Sequence, residues 1–370
     1  MRYIFLFVLL FCTFAMETFA ADTLACRVDR SSNWAFYGSD NPHSRVVLAN
    51  GRQVQKSFDF KCEIRDVDGS SLYELAQSGV VAPYDSVAVS FSFKTVSPGF
   101  YNMSLYNEGH FIEDVVIAYE PEKIGEKSHN GEDFLYFAHQ VALGRRDIKP
   151  QYVMLRNREL SGRERNVYDF TMVSRGDERV KGYIAFPKGK QGLKGVLTLV
   201  DEENASGNPL ADFTAPSGFV ELVLYLNGRG EGEEMMSNSL TDMLLALDFL
   251  YSRAEIVKSA IYVQGNGRAG AYAFVSSALS ENVAGAMVSS PDFSLMTDKY
   301  SYSSISGNVQ SPILLGIGLQ CDISRLQETF LLYNKVKQTK EYFADPQSGG
   351  IERNRWKYIK DIFIKRLEEK

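Results

Sequence analysis

The segment AIYVQGNGRAGAYAFVSSAL, residues 260–279, carries the residue types and spacing that bear most directly on chemistry. A short apolar run ends in a Gly-rich turn, and small and apolar residues at helical spacing follow. A strand, tight turn and helix of this kind can present a serine hydroxyl at the end of a sheet, as in G-x-S-x-G. Here the turn reads Gly265-Asn266-Gly267-Arg268-Ala269-Gly270, and the serine position is Gly267. The same residues match G-x-G-x-x-G, the dinucleotide fingerprint, with Asp292 after the next strand as the candidate ribose-binding acid. A hydroxyl is a weak nucleophile unless a neighbouring base takes its proton. The four histidines are His43, His110, His129 and His139, so residues 151–370 contain no imidazole. His139 would have to fold over the turn from an earlier segment to serve.

The elements around this turn change character along the chain. Residues 21–120 read as a small antiparallel β-sandwich-like domain. VAVSFSFKTV and GFYNMSLY alternate apolar and polar residues, and Asp68-Gly69, Pro98-Gly99 and Asn107-Glu108-Gly109 punctuate them. Residues 121–150 form a more polar connector with a helix expected over 131–146. From 151 to 370 the pattern is α/β. NVYDFTMVS and KGYIAFPK look like a hairpin. GVLTLV, VELVLYL, AIYVQ, AGAMVSS and PILLGIGL are continuous apolar runs suited to strands covered on both faces. Helical patterns at 239–255, 268–280, 326–338 and 354–369 alternate with them. Such alternation specifies a mostly parallel sheet flanked by helices, with ligand sites at the carboxyl ends of its strands.

Several segments agree in order and spacing with one family. RGEGEE (229–234) follows a strand, and LTDMLLALDFLYSRAEI (240–256) precedes the turn. SPILLGIGLQCDIS (311–324) occupies the later acid-bearing loop, and YNKVKQTKEYFADPQSGGIERNRW (333–356) the final loop and helix. Together these resemble the acetyl xylan esterase and cephalosporin-C deacetylase family of α/β-hydrolases, over most of 121–370. The front domain, with its FY…YEPEKI ending, resembles secreted members. The resemblance implies a Ser-His-Asp triad and an acetylated polysaccharide substrate.

This chain departs from the family at every triad member. Gly267 replaces the serine. Cys321 stands where the acid is expected, with Asp322 displaced by one, and Gly350 stands at about the histidine position. The family's oxyanion-side tyrosine is missing too: that loop reads VDEENAS, with Asp201, Glu202 and Glu203. Carboxylates beside a developing oxyanion raise the barrier, unless they simply face solvent. The resemblance makes Arg229 a structural support of the elbow. The remaining pocket candidates are Asp201, Glu202, Asn266 and Arg268.

The chain therefore reads as an exported esterase-like protein that has lost hydrolysis and keeps a pocket for a polysaccharide or oligosaccharide. One alternative is an active deacetylase with relocated residues, using Cys321 as a thiol or a pair among Asp322, Asp345 and Glu352. Another is dinucleotide (NAD or NADP) binding at 265–270. No cofactor or metal is expected, since no Cys or His pair has metal-ligand spacing. Lys plus Arg is 40 and Asp plus Glu 46, for a net charge of −6 without a basic block, which argues against nucleic acid. Residues 1–20 read as a signal peptide, Met1-Arg2 leading an apolar run that ends near Thr18-Phe19-Ala20. The mature chain is then periplasmic or secreted and holds no membrane span. Acylation at Cys26 is the weaker reading. In an oxidising compartment Cys26 and Cys62 either pair or stay separate thiols. Assembly into oligomers is left open.

Overall fold

The computed structural model describes residues 24–29, 34–94, 97–125, 132–226, 228–294, 299–301 and 303–369. The leader expected over 1–20 lies outside the described residues, as does His129.

The front strands are β1 (Ala25–Asp29), β2 (Ala35–Phe36), β3 (His43–Ala49), β4 (Lys56–Arg65), β5 (Ser71–Val81), β6 (Ser86–Ser92), β7 (Gly99–Asn107) and β8 (His110–Tyr119). They form one sheet in the order β1-β3-β6 and another in the order β2-β8-β7-β4-β5. Alternation decides the inward faces. In β4, Phe58, Phe60, Cys62 and Ile64 are buried while Ser57, Asp59 and Lys61 are exposed. Val46 and Leu48 of β3 and Val89 and Phe91 of β6 join the same apolar cluster, with Phe60 and Phe91 ring centroids 6.0 Å apart. Cys26 and Cys62 sit on different sheets, and both are free thiols, so the pairing considered from sequence is not formed. Burial pushes the Cys62 thiol up to about 12, which leaves it unreactive.

β7 is buried on both faces. Its Phe100 turns away from the front cluster and packs on Phe330 with centroids 5.3 Å apart. The Phe100 backbone N–H donates to Gln327 Oε1 at 3.1 Å. These contacts tie the front strands to the second half.

A two-stranded pair, β9 (Glu132–Asp133) with β17 (Tyr300–Ser301), and helix α1 (Phe134–Gly144) link the halves. The large sheet holds β10 (Tyr152–Asn157), β11 (Arg165–Val173), β12 (Arg179–Pro187), β13 (Leu193–Asp201), β14 (Val220–Leu226), β15 (Ile256–Asn266), β16 (Val283–Ser289), β18 (Ile313–Gly318) and β19 (Lys340–Asp345). Its order is β10-β11-β12-β14-β13-β15-β16-β18-β19. The expected hairpin is β11–β12. The sheet is mixed, because β10, β11, β12 and β14 pair antiparallel; from β14 through β19 the pairing is parallel. The remaining helices are α2 (Pro209–Asp212), α3 (Gly232–Ser252), α4 (Gly267–Leu279), α5 (Ser303–Gly307), α6 (Ile323–Lys335) and α7 (Arg353–Glu368). α3 begins at Gly232, ahead of the expected 239, so the RGEG turn leads straight into it. α1, α3, α4 and α6 share the main core, while α7 covers the other face through Phe363 and Ile364. Trp356 packs there, against the bare Cα of Gly316.

Strand order reverses between β14 and β13. The loops after β13 and β15 therefore open beside a topological switch point, where ligands bind on sheets of this kind.

Candidate functional site

β15 runs into α4 with no intervening loop, and Gly267, the first helical residue, has φ +60°. That left-handed conformation is accessible to glycine at little cost. Gly265 allows the strand and helix to touch: a Cβ there would lie 2.4 Å from the Ala269 carbonyl oxygen. The elbow shape is thus present without its nucleophile.

The carboxyl end of β13 places Asp201 over this elbow. Its side chain is 3% exposed. Oδ1 accepts from Arg268 Nε at 3.2 Å, and Oδ2 accepts from the Ala269 backbone N–H at 3.3 Å. Asn266, the helix N-cap residue, is exposed and its side chain does not cap. Asp201 supplies that anion from across the sheet, satisfying an orphan amide and the positive end of the helix dipole. Burial acts to lower the Arg268 pKa, but the charge and hydrogen bond of Asp201, with Glu203 beyond, hold it above its ordinary value. Glu203 Oε2 lies 3.6 Å from Arg268 Nη2, while Glu202 is exposed and stands apart. Of the acids in this stretch, then, Glu202 faces solvent and Asp201 does not.

Arg229 lies on the neighbouring loop and donates Nη2 to both Asp242 oxygens, at 3.0 and 2.9 Å. Asp242 is buried inside α3 and also accepts from the Ser174 hydroxyl. Burial raises the Asp242 pKa, and Ser174 and Arg229 work against that rise. Arg229 is therefore held in a buried ion pair.

The other degenerate positions are spent on structure. Asp322 caps α6, accepting from the Ser324 N–H at 2.8 Å. Cys321 directs Sγ to the Gly318 carbonyl at 3.2 Å, and burial pushes its pKa up, against a thiolate role. Gly350 lies against β18: a Cβ on Gly318 would come 2.1 Å from Gly350 N, while a Cβ on Gly350 itself would meet nothing within 4 Å. Asp345 is buried at 8% exposure, and Glu352 caps α7. His43, His110 and His139 are all exposed. No imidazole among the described residues is buried near the elbow. Among the same residues no cluster of three or more His, Cys, Asp or Glu could hold a metal ion.

Asp292 gives its carboxylate to Arg325 at 2.9 Å and to the Ser294 N–H at 3.0 Å. The amide end of α4, where a pyrophosphate would sit, already carries Asp201. Both dinucleotide-binding parts are thus engaged within the protein.

Three cavities lie around the large sheet, each lined by residues other than those of the elbow. One of about 520 Å³ lies between Arg65, Asn102 and Asp114 of the front strands and Gln320–Ser324. Another of about 710 Å³ is lined by Arg175, Arg229, Glu233 and Asn238. A third of about 840 Å³ joins Trp34 to residues 344–348, Gly350 and Arg355. Trp34 is braced by Phe100, stacked at 6.5 Å, and by Tyr342, edge-on at 6.3 Å.

One buried polar group escaped the sequence reading. Glu221 of β14 accepts from Thr198 Oγ1 at 2.6 Å, the Thr214 N–H at 2.8 Å and the Ala215 N–H at 3.0 Å. Gln264 of β15 links it to Lys360 of α7, whose Nζ donates to Gln264 Oε1 at 2.5 Å and to the Thr214 carbonyl at 3.0 Å. Lys360 is 1% exposed. The available signal was polar residues inside apolar runs: Glu221 in VELVLYL, Thr198 in GVLTLV and Gln264 after AIYV.

No protein-family model matches the sequence, and no curated protein does either. Solved structures do match. An acetyl xylan esterase from Paenibacillus sp. R4 superposes with a TM-score of 0.57 at 17% identity, covering 67% of this chain and 98% of that one. Acetyl xylan esterase 1 from Thermoanaerobacterium sp. JW/SL YS485 gives the same TM-score and coverage at 12% identity. At such identities the likeness is one of fold: about two thirds of this chain shares the α/β-hydrolase fold of those esterases. Within that class, the acetyl xylan esterases are the structures it resembles, in agreement with the motif order. No helix among the described residues is long and apolar enough to cross a membrane.

Proposed function

We propose that this chain is an acetyl xylan esterase-like protein that does not hydrolyse esters and binds carbohydrate in the cavity beside Trp34. The observation that carries this reading is the Asp201 carboxylate seated on the first turn of α4, above Gly267. The place for a nucleophile holds a fixed negative charge, and acyl transfer needs the opposite field there. The cavity beside Trp34 suits a sugar, with an indole face, the amide of Gln347, the hydroxyl of Ser348 and the charges of Glu352 and Arg355 around it. The front strands serve as a β-sandwich-like domain over residues 21–120, and the leader directs export.

The test is hydrolysis of 4-nitrophenyl acetate and acetylated xylan by the purified chain, beside titration with xylo-oligosaccharides. No turnover above a heat-treated control, with saturable oligosaccharide binding, is the expected result. Turnover abolished by a serine-directed inhibitor overturns the inactive reading, and absence of binding overturns the ligand.

A further inference from the structure

A cavity of about 670 Å³ lies along the flank of the large sheet, where the start of β14 meets the end of β12. Gly267 stands at the carboxyl end of β15, so this cavity and the elbow are separate places. Its charged lining is Arg163, Glu164, Arg165, Glu221, Arg353 and Lys357. Two segments far apart in sequence supply the cations. Arg353, Lys357 and the buried Lys360 follow one another at i, i+4 and i+7, so they share one stripe of α7. Arg163 and Arg165 come from the turn that opens β11.

The side chains are placed but not neutralised. Arg353 Nη2 donates to the Phe213 carbonyl at 3.3 Å, and the Arg165 guanidinium lies 4.5 Å from the centre of the Phe213 ring. At the rim Lys188 donates to the Gly162 carbonyl at 2.9 Å. The Lys190 ammonium hangs over Gly218, 3.0 Å from where a Cβ would be. Glu221 is buried and committed to Thr198, Thr214 and Ala215. Glu164 is the exposed carboxylate of the lining. This local positive excess stands on a chain whose net charge is −6. Like charges gathered around a concave wall focus the field and favour an anion there. Leu160, Leu210 and Phe219 add apolar wall, enough to seat a ring.

We propose that this flank cavity is a second binding site, for a compact ligand bearing at least two anionic groups. Arg163 and Arg165 hold one group through guanidinium forks, and Arg353 with Lys357 holds the other. Such groups occur on an acidic sugar, as carboxylate, and on a phosphorylated small molecule. The chemistry is shared, and the probes separate the two sources.

The full chain is titrated by calorimetry with inorganic phosphate, inositol hexakisphosphate and a galacturonate trisaccharide, at low ionic strength and at about 0.15 M. At least one multivalent anion saturates and weakens with salt. Tighter binding of the trisaccharide assigns an acidic sugar, and tighter binding of the inositol phosphate a phosphorylated ligand. R163A/K357A, both exposed positions, lowers that affinity about tenfold or more. Glu164→Gln tightens it. K61A/K94A, which removes equal charge from the front strands, leaves it unchanged. The proposal falls if no anion saturates, if R163A/K357A binds like the parent, or if K61A/K94A loses as much. None of these outcomes depends on the carbohydrate reading of the cavity beside Trp34.

Discussion

The Oδ2 atom of Asp201 lies 4.0 Å from the point where a Cβ on Gly267 would stand. Two departures from an esterase site are thus one arrangement. Gly267 carries no side chain, and the carboxylate at the end of the neighbouring strand β13 sits over its turn. Arg268 and the Ala269 amide, which flank the missing serine, now stabilise that carboxylate. The helix end that would stabilise an oxyanion holds the Asp201 carboxylate instead.

Removing this anion should cost stability, not activity. Asp201→Ala leaves the first turn of α4 without its cap and Arg268 with only the distant Glu203. Cap and charge-assisted bonds together predict a loss of about 1–3 kcal/mol. Asp201→Asn keeps an acceptor and loses less. Denaturant unfolding of both variants checks the order, and equal losses would show that the charge is irrelevant.

Refitting the triad alone should fail. A Cβ at Gly350 meets nothing within 4 Å, and a Cβ at Gly267 approaches only Asp201, although φ +60° there strains any side chain by about 1–3 kcal/mol. In G267S/C321D/G350H the oxyanion would form beside Asp201. One misdirected group at an oxyanion site costs about 3–4 kcal/mol, or some hundredfold in rate. Adding Asp201→Ala is expected to raise 4-nitrophenyl acetate turnover above that of the triple variant. If the triple variant is already the faster one, Asp201 is not the obstacle.

Arg229 is the counter-ion of a carboxylate buried in α3. Arg229→Ala strands Asp242 with Ser174 and no positive charge, and breaking such a pair costs about 3–5 kcal/mol. Arg229→Ala with Asp242→Asn removes the stranded charge and recovers part of the loss. Melting curves of the single and double variants measure that recovery, and none would show that the pair is not coupled.

The sequence made the sheet and its helices legible, because each leaves a local signature. Continuous apolar runs give strands covered on both faces, and Gly265 to Gly270 give the elbow. The place of Asp201 was not legible. Three acids stand in a row in that stretch, and only packing decides that the first turns inward to Arg268 while Glu202 faces water. The flank cavity was hidden for a similar reason. Arg163 and Arg353 are distant in sequence, and the antiparallel β12–β14 pairing brings their elements to one place. Lys360 looked like one more basic residue on an amphipathic helix, yet it lies on the buried side.

That buried lysine sets the pH dependence of stability. Burial drives the Lys360 pKa down to about 7, from 10.5. The charge of Glu221 acts to raise it, while Lys357 and Arg353 on the same helix face lower it further. Between those two values the unfolded chain keeps a proton that the folded chain has lost. Stability contributed by this site therefore rises with pH through that window, by about 1.4 kcal/mol per unit at most for one proton. Burial shifts Glu221 upward, so its penalty enters as pH rises above its ordinary carboxylate value. The two effects oppose each other. Lys360→Met deletes the alkaline one and keeps the packing volume against Gln264. Denaturant midpoints of the parent chain should climb from pH 7.5 to 9.5 relative to those of K360M. Parallel pH profiles would mean that Lys360 stays charged in its buried place.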